Sequence, residues 1–401
     1  MKKVLCLFVL LVAFTHMANA QWVQGQGPMA GQVPALAVNG NNVFAGTMGG
    51  GVYVSADGGR NWAAADSGFT GFNVVSFAGS GSNIFAGTYN SGIFLSTNNG
   101  TSWTAVNSGL PANANVNCLA VKGSNILAGL QSGGVYLSTN NGTSWTTANS
   151  SLTNIDVTSL AVTGGNICAG TWSGEVFFST DSGIGWTAVN SGLWADIAVL
   201  SLAVSGSNIF AATYGRGILI HTINATSWTP VDSGITNPIV LCLAVSGNDI
   251  FAGTLDGVFL STNNGTSWTA VNSGLSNTDI WSLAVNGSNI LAGTNGSGVW
   301  YRPLSEMVGV IPQHGSSITN RREFKINVRK NDIAIVLPSP LDGGKVTIEL
   351  FTVAGRRIYS ASHLANNGMM SIPLPGLSTG TYLMSIKSKN GSLHSSFVVS
   401  K

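Results

Sequence analysis

The sequence predicts an all-β protein: a seven-bladed β-propeller of four-stranded blades followed by a small immunoglobulin-like β-sandwich. Three observations carry this. Tryptophan recurs at Trp22, Trp62, Trp103, Trp145, Trp186, Trp228 and Trp268, with spacings of 40 to 42 residues, and a fixed period in that range marks a propeller or solenoid. A short motif of alternating apolar and small residues also appears seven times, at 35–38, 76–79, 118–121, 159–162, 201–204, 242–245 and 282–285. Beyond residue 300 the repeat stops, and longer alternating strands take over.

One repeat, residues 116–149, shows how the four strands arise. Residues 116–121 alternate at period two, and Gly123-Ser-Asn125 turns the chain. A second strand covers 125–129, Gln131-Ser-Gly-Gly134 turns again, and a third strand covers 135–138. Thr139 to Gly142 form the third turn, and 144–148 the fourth strand. Short β-rich runs punctuated by Gly and Asn are strand and hairpin signals. The last repeat ends at Val299-Trp300-Tyr301 without a fourth strand, while the segment around Trp22 has a fourth-strand pattern with nothing before it. The two ends are predicted to pair and close the ring, which removes an exposed sheet edge.

Four segments follow: 1–20, 21–301, 302–322 and 323–401. The first has the pattern of a secretory signal peptide, with Lys2 and Lys3, an apolar run from Val4 to Phe14 and the small-residue site Ala18-Asn19-Ala20. No later stretch is long and apolar enough for a transmembrane span. Pro303, Pro312 and Gly315-Ser-Ser317 mark 302–322 as a linker. Residues 21–300 hold three basic side chains against ten acidic ones, and 301–401 hold twelve against five. So sharp a shift supports a domain boundary, and a propeller this poor in Lys and Arg excludes nucleic acid as partner. Cys118, Cys168 and Cys242 are odd in number, which does not make a disulfide framework. They read as buried free thiols, with a Cys118–Cys168 pair as the alternative. No His or Cys cluster has metal-ligand spacing, and no cofactor is expected.

The turn before each Trp is the most regular element. Ser55, Asp57, Gly59 and Trp62 follow S-x-D-x-G-x-x-W, as do Ser179, Asp181, Gly183 and Trp186. Asn replaces Asp in three blades: Ser96, Asn98, Gly100, Trp103; Ser138, Asn140, Gly142, Trp145; and Ser261, Asn263, Gly265, Trp268. The turn ending at Trp228 is degenerate, with His221 first and Ala225 in place of Gly. An Asp or Asn side chain can accept amides of its own turn while Gly takes positive φ, so these residues read as structural. Asn-Gly-Thr at Asn99, Asn141 and Asn264 also spells a glycosylation sequon, but the turn chemistry already accounts for it. The motif resembles the Asp-box of BNR-repeat propellers, which include sialidases, xyloglucanases, sortilin-type receptors and Ycf48-like assembly factors. The resemblance implies the fold and leaves the function open.

In a four-stranded antiparallel blade the first and third turns share one face. The second turns and the blade-to-blade connections share the other, where related propellers meet ligands. Second turns present Met48, Tyr89, Gln131, Trp172, Tyr214, Leu255 and Asn295. Connections add Trp194 and Asp196, with Asn73, Asn115, Asp156, Asp279 and Trp281 at the approach to inner strands. Tyr89, Trp172, Trp194, Tyr214 and Arg216 make the most site-like group, suited to binding a glycan or a surface protein. The bland alternative is packing of these rings against neighbouring connections. For catalysis, a sialidase resemblance calls for an arginine triad, and only Arg216 is well placed. A xyloglucanase-like inverting pair needs two carboxylates about 6.5–9.5 Å apart, with Asp156, Asp196 and Asp279 as the candidates. The leading expectation is non-catalytic binding, with a glycoside hydrolase acting on extracellular polysaccharide as the alternative.

From Phe324 onward the alternation predicts six or seven strands, including 333–337, 346–353, 357–360, 370–374, 382–386 and 397–399. Val346-Thr-Ile-Glu-Leu-Phe-Thr-Val-Ala-Gly355-Arg356-Arg-Ile358, Leu377-Ser-Thr-Gly380-Thr-Tyr382 and the terminal Phe397-Val-Val-Ser-Lys401 together resemble the type A sorting domain of the type IX secretion system. That resemblance implies the secretion machinery as partner, passage through the periplasm and outer membrane, and a final location outside the cell or on its surface.

Overall fold

The computed structural model describes residues 21–28, 31–69, 73–223 and 225–307, and then the strands between 325 and 399. The chain divides into two compact units, one up to Pro312 and one from Gln313. The expected signal peptide and most of the expected linker lie outside the described residues.

The first unit is a seven-bladed propeller. Its first blade runs from the inner strand Ala35–Asn39 through Asn42–Thr47 and Gly51–Ser55 to the outer strand Ala63–Ala64. Five further blades repeat this antiparallel order, with inner strands Asn73–Ser80, Val116–Lys122, Val157–Thr163, Val199–Ser205 and Val240–Ser246. The seventh, built on Ile280–Val285, Asn289–Thr294 and Val299–Pro303, receives its outer strand from the other end of the chain. Val23 pairs with Tyr301 and Gln24 with Trp300, closing the ring as the unpaired half-repeats require.

The outer strands are two residues long, Thr146–Thr147 in the third blade, where the sequence pattern predicts five. The reason lies in the Trp. Its backbone amide leaves its own sheet and donates to the preceding blade, Trp145 to the Ser108 carbonyl at 2.9 Å. The indole Nε1 then donates to Val106 O at 2.8 Å. Trp22, Trp103, Trp186, Trp228 and Trp268 make the same two bonds, and all six are buried. The hydrophobic core is accordingly divided among blade junctions. One cluster joins Phe85 and Ile93 of the second blade to Val116, Ile126 and Trp145 of the third.

The receiving half of most junctions is a second repeated motif, Asn/Asp-Ser-Gly, four residues after the Trp; in the third blade Ser151, at φ 62°, takes the Gly place. Gly109 shows why glycine stands there: φ is +91°, and a Cβ would lie 2.1 Å from the Trp145 carbonyl oxygen. The seventh blade carries Gln26-Gly27-Pro28 instead, and its junction with the first blade changes. Trp62 donates its amide to Gln26 O, one register position earlier, and turns its indole back to Gly59 O of its own turn at 3.0 Å. Gly25 permits that approach, since a Cβ there would sit 2.9 Å from Trp62 Nε1. Trp62 is therefore half-buried, although its ring still packs against Leu291 and Val299 of the seventh blade.

Cys118, Cys168 and Cys242 are free thiols, so the alternative pairing of Cys118 with Cys168 does not form. Burial pushes Cys118 and Cys168 up to about 12 and Cys242 upward as well.

Among the described residues, the second unit contains seven strands in two sheets. Lys325–Val328, Asp332–Val336 and Met369–Pro373 form one; Arg357–Leu364, Lys345–Thr352, Gly380–Ser388 and Gly391–Val399, in that spatial order, form the other. Val346, Ile348 and Leu350 alternate on one buried face of the second sheet, as period-two patterning demands. The last strand begins at Gly391, six residues before the apolar triplet from which it was predicted.

Candidate functional site

The box turns are closed hydrogen-bonded units. The Ser55 hydroxyl donates to Asp57 Oδ1 at 2.8 Å and accepts the Gly59 amide at 2.9 Å. Asp57 Oδ1 accepts the amides of Asn61 and Arg60 at 2.9 and 3.1 Å. These donors, the Asn61 amide foremost, hold the Asp57 carboxyl down to about 2. Ser179, Asp181 and Gly183 repeat the arrangement, and the Gly185 amide lowers Asp181 in the same way. Where Asn stands in the box, its spare Nδ2 needs an acceptor: Asn98, Asn140 and Asn263 donate to Ser102, Ser144 and Ser267 at 2.8 to 2.9 Å. Asn61 and Gly185 occupy that position beside the two aspartates, so residue choice tracks donor and acceptor need.

Two blades break the pattern at the box serine. His221 is buried against the Phe178 and Trp228 rings at 5.5 and 5.1 Å. Burial lowers its pKa, so the ring is a neutral core group. Arg302 fills the slot in the seventh blade and donates to Val271 O at 3.1 Å, the same carbonyl that accepts the Trp22 indole.

The opposite face is built from second turns fixed by their own blades. The Trp172 amide donates to Asp156 O, and that of Tyr214 to Ala198 O, each at 3.0 Å. Asn190 Oδ1 accepts the Val176 amide beneath the turn that carries Trp172. Asn107, Asn149 and Asn272 do the same in their blades. These asparagines were missed as supports of this face, although an Asn four residues after Trp103, Trp145, Trp186 and Trp268 is a visible signal.

On that scaffold Trp172 and Tyr214 stand out with exposures of 55% and 53%. The connection carrying Trp194 folds over the Trp172 turn, where the Asp196 amide donates to Ser173 O at 3.0 Å. From the next blade, the Arg216 guanidinium lies over the Trp194 ring at 5.4 Å. Trp172, Trp194, Arg216 and Tyr214 thus belong to one stretch of rim across the fourth and fifth blades. Tyr89 is also exposed, at 42%, but sits in the second blade, with the third between.

The three candidate carboxylates differ. Asp279 accepts Trp281 Nε1 at 2.9 Å and Asn295 Nδ2 at 2.8 Å, which commits both oxygens to its own blade. Asp196 is exposed, with a backbone φ of 62°. Asp156 is half-buried, and burial raises its pKa. Among the described residues no group of three His, Cys, Asp or Glu side chains could hold a metal, and no helix is long and apolar enough to cross a membrane. In the second unit Gly380 and Tyr382 start a strand and pair with Val399 and Phe397. Gly355, Arg356 and Lys401 lie outside the described residues.

Comparison with known proteins separates the two units. Residues 325–400 match the family model of the secretion system C-terminal sorting domain, which links the chain to type IX secretion and export. No curated protein matches the chain. Among solved structures, PorZ, an essential surface component of the type IX secretion system of Porphyromonas gingivalis, is 14% identical, with a TM-score of 0.57 over 94% of this chain. The chain spans 61% of PorZ. YCF48 from Cyanidioschyzon merolae is 16% identical, with a TM-score of 0.55 over 71% of this chain and 98% of its own. The family 74 xyloglucanase from Xanthomonas campestris is 17% identical, with a TM-score of 0.56 over 71% of this chain and 54% of its own. At these identities the likeness is one of fold. The protein is a secreted seven-bladed propeller with a type IX sorting domain.

Proposed function

We propose that the propeller is a non-catalytic binding module, of the Asp-box type, that recognises a glycan through the rim of its fourth and fifth blades. The observation that supports this most is the exposure of Trp172 and Tyr214 on turns whose backbones are fixed by hydrogen bonds. Rigid turns that leave large flat rings in water suit the apolar face of a sugar ring at low ordering cost. Arg216 beside the Trp194 ring brings a polar group among these rings, which favours a saccharide over a protein surface. In this reading, residues 1–20 direct passage to the periplasm. Residues 21–301 form the working module, 302–322 a linker, and 323–401 direct transport across the outer membrane to release or surface attachment.

A glycan array probed with the exported protein tests the binding. Alanine at both Trp172 and Tyr214 should abolish the positive signals, and an unchanged profile would return the rings to a scaffold role. Capture of a surface protein with no glycan bound would favour the protein-binding form. Removal of 323–401 should leave the propeller in the periplasm, and its normal appearance outside the cell would overturn the sorting role. One observation favours a hydrolase as second reading: burial raises Asp156, as a general acid requires. Release of reducing ends from a polysaccharide, lost in Asp156→Asn, would replace the binding-only reading.

A further inference from the structure

The described propeller residues include four cationic side chains, and three have structural duties. Arg60 donates to Asp57 O at 2.9 Å and lies over the Tyr301 ring at 5.4 Å. Lys122 donates to Gly165 O of the next blade. Arg302 is buried, bonds Val271 O and has Glu306 near it. Arg216 is exposed and, among the described residues, forms no side-chain hydrogen bond and no ion pair. Its one contact of note is the Trp194 ring. Asp156 and Asp196 belong to the same rim, yet neither pairs with it.

The stacking decides what such an arginine can offer. An indole 5.4 Å from the guanidinium carbon offers the cation its π face while the N–H groups keep no protein partner, and a planar fork of donors matches a carboxylate in bidentate geometry. Trp194 is itself held, because its connection is bonded to the Trp172 turn through Asp196 and Ser173. The guanidinium is thus preorganised before any ligand arrives. With Tyr214 two residues away and Trp172 beyond Trp194, an anion site adjoins surfaces suited to a pyranose face.

We infer that Arg216, oriented by Trp194, is the specificity residue of this rim, and that the saccharide recognised there bears a carboxylate. This rests on the binding reading above and narrows it to acidic sugars. Asp156 and Asp196 share this rim, so the attraction is confined to the Arg216 guanidinium, whose donors no protein carboxylate occupies.

The test uses the full exported chain on an array of matched saccharides, each uronate-bearing glycan printed beside its carboxyl-reduced form, followed by calorimetry on the best pair. The wild type should favour the acidic member at least about tenfold, in line with loss of a charge-assisted hydrogen bond. Arg216→Gln should erase that preference while leaving the melting temperature and any residual neutral binding in place. Arg216→Lys should recover only part of it, since charge returns without the fork. Equal binding of both members by the wild type, or an acidic preference unchanged in Arg216→Gln, overturns the role of Arg216. Silence across all pairs overturns glycan binding itself. Binding of neutral members alone spares the binding reading and removes only the acidic one.

Discussion

The unequal tryptophans give the sharpest quantitative test of how the ring is held. Trp145 is buried and donates its indole to Val106 O in the preceding blade, whereas Trp62 is half-buried and bonded within its own turn. Truncating a buried aromatic to alanine costs about 3–5 kcal/mol, through lost burial and the cavity left behind. Trp145→Ala also strands a carbonyl at the junction and belongs at the upper end. Trp62→Ala removes a ring already partly in water, with no bond across the junction, and should cost about 1–2 kcal/mol. In a domain of this size each kcal/mol lowers the midpoint by roughly 2 °C. Thermal unfolding followed by far-ultraviolet circular dichroism should therefore fall by about 8–10 °C for Trp145→Ala and by about 2–4 °C for Trp62→Ala. Trp145→Phe keeps most of the ring and isolates the hydrogen bond, at about 1 kcal/mol. Equal losses for the two alanine variants would refute the claim that the closing junction is built differently.

Asp57→Asn should destabilise the propeller, because its new amide would face the Asn61 amide. Adding Asn61→Ser should recover stability by recreating the pairing of Asn98 with Ser102, and failure of that rescue in chemical denaturation would sink the pairing rule. Asp57 is held at about 2 against an ordinary 3.8, so its contribution is present above pH 3.8 and lost as pH falls toward 2; the double variant should show a shallower acid limb there. His221 is depressed by burial, so below its ordinary 6.5 the unfolded chain takes up a proton that the folded one refuses, and stability falls with pH through that window. His221→Phe should flatten this fall in melts between pH 7.5 and 5, and an unaltered profile would count against the buried neutral ring. The buried Cys168 thiol should resist an aromatic disulfide reagent at pH 8 until guanidinium unfolds the chain, and its prompt labelling in the folded protein would contradict that burial.

Much of this architecture is legible in the sequence because each repeat carries its own instructions. Ser55-Ala-Asp57-Gly-Gly59 specifies a turn through contacts among its own atoms, so position in the chain hardly matters. The unpaired Trp22 segment reveals ring closure because a fourth strand without a sheet needs a partner. What stayed hidden depends on contacts between repeats. The brevity of the outer strands follows from each Trp amide bonding the blade before it. The same cause separates Trp62 from its six counterparts, through Gly25 and Gln26 some forty residues away. At the candidate site, the residue types and the face were legible from turn order. The stacking of Arg216 on Trp194 was not, since it joins a second turn to a connection from another blade. The bonds on Asp279 involve Trp281 and Asn295, which sequence separates by two and sixteen positions; only the inner strand and second turn of one blade bring them together.

The closing strand has a kinetic consequence. The Trp22 indole and its Val271 acceptor are 249 residues apart in sequence, as are Ser282 and the Val33 carbonyl it bonds on the other side of the seventh blade. The six complete blades can form as neighbours meet, but the seventh must wait for the earliest segment of the propeller to find one of its last. Contacts of such long range are slow to form, so the open arc is the form most exposed to aggregation or premature pairing. Trp22 to Gln26 therefore act as a timer as well as a latch: their docking reports that the ring is complete.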